Sequence, residues 1–221
     1  MIRIHCQRPF ATVEEMDQVL IDKHNALVKP SDTVIMLGDV ARRDHERYVR
    51  ALNGHKILVF GNHDRRMRDS ALRLFDLVVG SPEFPGIMGK AIDGQYVVFS
   101  HFPLWSWNGS FHGSWCCYGH CHGTRREFQQ AGVIEGEPFE ERPPWRIAEF
   151  MDALACAVDV DAWEWAPVPW EVLAAKLSAR IPAWKERRRV WTAVEEPPGR
   201  RSELAAENHK WRDQRPICGD R

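Results

Sequence analysis

Thr33-Val34-Ile35-Met36-Leu37-Gly38-Asp39 is a short apolar run closed by a glycine and a carboxylate. The pattern recurs at Lys56-Ile57-Leu58-Val59-Phe60-Gly61-Asn62-His63-Asp64. Short apolar runs bounded by glycine read as buried strands. Two more have the same form. Gln95 to Ser100 runs directly into His101, and Trp115 to Tyr118 runs into Gly119-His120-Cys121-His122-Gly123. Each of these strands thus ends in a polar cluster. Apolar strands fix the backbone, and the loops at their ends face a shared crevice. Glycine beside a cluster lets the chain turn sharply and lets a ligand approach the backbone. Asp, Asn and His together form a mixed oxygen and nitrogen donor set, which suits Mn, Fe, Zn or similar divalent ions.

Outward from these runs, residues 12–28 read as an amphipathic helix. Thr12 and Glu15 stand at capping-box spacing, Val13, Met16, Val19, Leu20, Ala26 and Leu27 form an apolar stripe, and Pro30 ends it. Residues 44–52 and 66–74 are expected to be helical, and Leu77 to Val79 extended. Ile87 to Ile92 and Gln95 to Ser100 flank Asp93-Gly94, a hairpin signal. Ala155 to Val160 is a last predicted strand and Trp170 to Leu177 a last helix. Helices alternate with strands in the first half and hairpins are expected to dominate the second. The pattern implies an α/β fold with mixed sheets rather than a simple parallel sheet.

At 221 residues the chain is long enough for one sizeable core and does not demand two. Apolar content of 44% and charged content of 28% are ordinary for a soluble globular protein. The apolar runs are too short to cross a bilayer, and Met1 to Phe10 holds no signal-peptide stretch, so a cytoplasmic protein that does not enter membranes is expected. The six cysteines, at 6, 116, 117, 121, 156 and 218, form no regular disulfide framework. The net charge of −1 conceals an asymmetry: from Arg180 onward there are eleven Lys/Arg against seven Asp/Glu. The division expected is a domain over 1–178 and a basic, polar and mobile extension over 179–221.

Taken in order, Gly38-Asp39, Gly61-Asn62-His63-Asp64, His101 and Gly119-His120-Cys121-His122 resemble the GD, GNHD, H and GHxH series of the calcineurin-like metallophosphoesterases. Arg8-Pro9-Phe10, Lys29 to Thr33, and Val158-Asp159-Val160 through Pro167-Val168 resemble the small bacterial and phage branch of that family. The resemblance covers about residues 1–178. It implies a four-layer α/β/β/α sandwich and hydrolysis of a phosphomonoester or phosphodiester. It also implies two divalent metal ions, with a phosphoester small molecule or nucleotide as substrate. Residue by residue, it makes Asp39 the carboxylate that bridges the two metals. Asn62, His101 and His120 become the other ligands of one metal, and His122 a ligand of the second. His63 becomes the general acid or phosphate-binding group, and Asp64 the residue that orients it. Two ions about 3.5–4 Å apart clamp the attacking and leaving oxygens of a phosphoryl centre, and metal binding lowers the pKa of a water from about 15.7 to about 7. An imidazole titrating near neutrality suits proton transfer at His63.

Family members begin with a strand ending in D-x-H, and none precedes Asp39 in that setting. Asp22-Lys23-His24 spells the motif but falls inside the predicted helix, and His5 lies too close to Arg8. The favoured expectation is a start at an internal Met1, with the strand and its D-x-H upstream; the competing one is a shortened protein. The chain as given would then hold one metal well and the other through Asp39 and His122 alone. This opens a first alternative: a weakened or inactive member that binds phosphoesters or a partner through one intact metal site. A second is a small zinc-stabilised binding protein built on His112, Cys116, Cys117, His120, Cys121 and His122. Trp105, Trp107 and Trp115 form either an aromatic wall for a nucleobase or core packing. Arg65 and Arg66 read as contacts to substrate phosphate or, the favoured reading, as a solvated helix face, and the basic tail is a weak signal for nucleic acid.

Overall fold

The computed structural model describes residues 8–104, 106–122 and 154–193. Two β-sheets flanked by helices make an α/β fold. The first sheet holds β1 (Thr33–Met36), β2 (His55–Val59) and β3 (Leu77–Val79), all parallel, in that order. The second holds β4 (Ile87–Ile92), β5 (Gln95–Ser100), β6 (Trp115–Tyr118) and β7 (Ala155–Ala157). Here β4 and β5 are antiparallel, whereas β5, β6 and β7 run parallel. Helices α1 (Val13–Leu27), α2 (His45–Ala51), α3 (Asp69–Leu72) and α4 (Trp170–Ser178) complete the first compact unit, which runs to Ile181. Beyond it lies α5 (Ile181–Ala193), a helix within the segment read from sequence as a polar extension.

Local chemistry explains the elements. Thr12 caps α1 by accepting from the Glu15 N–H at 3.0 Å, while Glu15 accepts from Ala11 N, one residue before the usual capping-box partner. Asp93 and Gly94 both take left-handed φ, as a two-residue type I′ turn requires, and so β4 and β5 form a hairpin. Leu58 and Val59 are fully buried, as are Val97, Cys116 and Cys117 to within a per cent. Strands buried on both faces read as continuous apolar runs, which is how this sequence reads. Val49 of α2, Leu58, Phe60, Met67, Ala71 and Phe75 form one core cluster beneath the first sheet.

Three expectations need correction. The stretch 66–74 is not one helix: a 3-10 turn at Asp64–Arg66 precedes the single turn of α3, because the Asp64 side chain is held among backbone amides instead of solvating a helix start. The strand predicted over Ala155 to Val160 stops at Ala157, where Asp159 turns to cap a 3-10 turn at Val160–Ala162 by accepting from Ala162 N. The second half holds one hairpin among the described residues, not several. Segments of fourteen or more residues separate β5, β6 and β7, long enough for the crossovers that parallel pairing needs. The expected N-terminal strand and the segment 123–153 lie outside the described residues. No helix among those described is long and apolar enough to cross a membrane.

Candidate metal centre

The chain leaves β1 at Met36 and reaches Gly38 at φ +85° and Asp39 at φ 55°. It leaves β2 at Val59 and reaches Gly61 two residues on. These two loops press together: a Cβ on Gly38 would collide with the Gly61 backbone, and one on Gly61 would lie 2.8 Å from both Asp39 N and His101 Cε1. Only glycine at both positions permits the approach. Asp64, fully buried, staples the loops. Its Oδ2 accepts from Asp39 N at 2.8 Å and Gly61 N at 2.9 Å, and its Oδ1 accepts from Val40 N at 3.1 Å.

His101 follows β5 and is 1% exposed. Its Nδ1 lies 2.6 Å from the Leu37 carbonyl, an acceptor, so the proton resides there and Nε2 presents a lone pair. That lone pair faces two acceptor oxygens and a second imidazole nitrogen. Asn62 Oδ1 is 2.7 Å away, His120 Nδ1 3.2 Å and Asp39 Oδ2 3.6 Å. Asp39 Oδ1 accepts from His63 N at 2.9 Å, whereas its buried Oδ2 has no hydrogen-bond partner among the described residues. Partial burial and the neighbouring His101 hold the His120 imidazole below its ordinary value, the neutral form a metal ligand needs.

Asp39, His101 and His120 each offer a ligand atom within 4.8 Å of the others. Bonds of about 2.0–2.2 Å to one divalent ion place its ligand atoms roughly 3–4 Å apart. The spacings measured from His101 Nε2, 2.7 to 3.6 Å, overlap that range. An orphaned carboxylate oxygen, an amide oxygen and two imidazole nitrogens gathered on one point fit a cation. Among the described residues this is one three-ligand cluster, consistent with at most one metal site. Of the two ions the resemblance implies, the described residues bring together ligands for one.

The remaining candidates lie around this cluster. His63 is exposed beside Asp39. His122, at φ 47°, has its Nδ1 3.5 Å from Asp161 Oδ2, and that carboxylate raises its imidazole above the ordinary value. Asp161 and its partner Arg8 had no signal of their own: both fall in segments quoted for the resemblance, but a pair 153 residues apart cannot be seen in one sequence. Asp22-Lys23-His24 stays inside α1, where His24 is buried with Nε2 3.1 Å from the Asn53 carbonyl.

The zinc reading finds no support, since the metal-capable group among the described residues contains no cysteine. Burial pushes the Cys116 thiol up to about 11 and Cys117 further, as in buried free thiols. Trp115 is 3% exposed and packs on Trp170 with ring centroids 5.7 Å apart, so it belongs to the core. Trp107 donates to Ser114 O, and Trp105 lies outside the described residues. Arg65 and Arg66 are exposed, as a solvated face requires.

Comparison with known proteins agrees with the motif series. Residues 4–167 match the family described as calcineurin-like phosphoesterase. Over 67 residues the chain is 39% identical to the uncharacterized protein MJ1445 of Methanocaldococcus jannaschii. That match covers 28% of this chain and 38% of the relative, so the chain spans well under half of the curated relative's length. A crystal structure of the protein of unknown function AQ665 from Aquifex aeolicus is similar at a TM-score of 0.48 and 21% identity, covering 75% of this chain and 87% of that one.

Proposed function

Since this chain belongs to the calcineurin-like phosphoesterase family, we propose that it binds phosphoesters through one metal site, with hydrolysis weakened relative to a two-metal enzyme. The observation that carries the proposal is the convergence of Asp39, His101 and His120 on one point while His122 turns to Asp161. The ligands of the site are Asp39 Oδ2, Asn62 Oδ1, His101 Nε2 and His120 Nδ1, at the mouth of the four-layer sandwich the family implies. A bound divalent ion there supplies Lewis acidity toward a phosphoryl oxygen.

The chain's own groups supply the rest. His63, exposed beside Asp39, holds a proton for the leaving oxygen of a phosphomonoester, phosphodiester or nucleotide. Asp64 acts on His63 indirectly, by fixing the two loops between which His63 stands. The His101 ring is immobilised by Leu37 O, so its lone pair cannot turn away.

Calorimetric titration with Mn²⁺, followed by assay on an aryl phosphodiester, tests this reading. A single equivalent of metal with slow turnover, abolished by His63→Ala with metal binding kept, is the expected result. Two equivalents with rapid turnover would favour the dinuclear hydrolase. Absence of any Mn²⁺ binding would end the phosphoesterase reading.

A further inference from the structure

We propose that Asp161, clamped by Arg8, is the positioning residue that fixes the His122 ring and reserves its Nε2 for a ligand. This rests on the phosphoesterase reading through the family's motif series, which makes His122 a ligand of the second metal; the one-metal reading leaves that position unfilled and His122 Nε2 open to take an ion. Arg8 Nε and Nη2 donate to Asp161 Oδ1 and Oδ2, each at 2.7 Å, a fork-to-fork pair. The two side chains are 7% and 4% exposed. The guanidinium also lies over the Trp165 ring at 5.5 Å, and Phe10 meets the same ring edge-on at 5.2 Å. The backbone on the Asp161 side is fixed too, in the 3-10 turn that Asp159 caps.

With both oxygens held, Asp161 is poorly placed to swing out as a metal ligand itself. What it can do is accept. A carboxylate 3.5 Å from His122 Nδ1 favours a proton on that nitrogen, and a neutral ring protonated at Nδ1 presents a lone pair at Nε2. Catalytic hydrogen bonds are often long before ligands bind and tighten afterwards. The chain uses the same device at His101, where Leu37 O holds Nδ1 and Nε2 is the offered atom. A carbonyl or carboxylate behind a ligating histidine is the usual means of fixing its tautomer and direction. His122 needs such a hold, because its backbone occupies the left-handed region that disfavours a side chain.

Long-range ¹⁵N–¹H correlation spectra of the metal-free full chain, in buffer alkaline enough to keep imidazoles neutral, read the tautomer directly. His122→Gln assigns the signal. His122 is expected to show the Nδ1–H pattern. Replacing both partners together, Arg8→Met with Asp161→Leu, avoids leaving one buried charge alone and is expected to abolish that pattern in favour of Nε2–H. Wild-type protein with the Nε2–H tautomer would overturn the proposal, as would a folded double variant that keeps Nδ1–H. If the double variant fails to fold, the wild-type spectrum decides alone. A Mn²⁺ titration of the wild type is scored separately: failure to bind metal would sink the phosphoesterase reading, while the tautomer result would stand.

Discussion

Asp64 shows how much one side chain can carry. Its two oxygens are the acceptors for three backbone N–H groups drawn from both ligand loops, and it is wholly buried. Asp64→Ala would strand those donors away from water, and a lost hydrogen bond to a charged group costs about 1.5–3 kcal/mol. Denaturant unfolding should therefore show a loss of about 3 kcal/mol or more, accompanied by loss of Mn²⁺ binding although no ligand is changed. An unaltered midpoint would mean the staple is dispensable. The grouping of Asp39, His101 and His120 was legible in sequence because each follows an apolar run. The use made of Asp64 was not, because backbone amides from two loops are invisible until the loops meet.

At the scale of elements, α1 carries a buried titrating group. His24 is buried, and that burial, opposed by the Asn53 carbonyl and aided by the charge of Lys56, lowers its pKa from the ordinary 6.5. A depressed histidine stabilises the fold above the unfolded pKa, and that contribution is lost as pH falls through the folded value. The urea midpoint should thus decline as pH drops below about 6.5, and His24→Gln should lessen the decline. A decline of equal size in the variant would assign it to other groups. Strand positions were readable from apolar runs, and α1 from its stripe and cap. Pairing direction was not: β5, β6 and β7 are parallel because of long crossovers, and run length alone does not reveal them.

For the whole molecule, a ligand that binds only the folded state stabilises it. At a hundred times its dissociation constant the gain is about 2.7 kcal/mol, which for a chain of this size corresponds to a rise of roughly 5–10 °C in Tm. Scanning calorimetry with Mn²⁺ should show such a rise, chelator should reverse it, and Asp39→Asn should not show it. An unmoved Tm in wild-type protein would argue against a metal at Asp39, His101 and His120. The distance between partners along the chain has a kinetic meaning as well. Parallel sheets and remote pairings make folding slow, and Arg8 must find Asp161 across 153 residues. During synthesis, residues 39, 101 and 120 all emerge before residue 161. A ribosome-bound chain stalled between them holds the three clustered ligands while Arg8 still lacks its acceptor, so an early half-built centre precedes the finished one by the time needed to translate about forty residues, a few seconds.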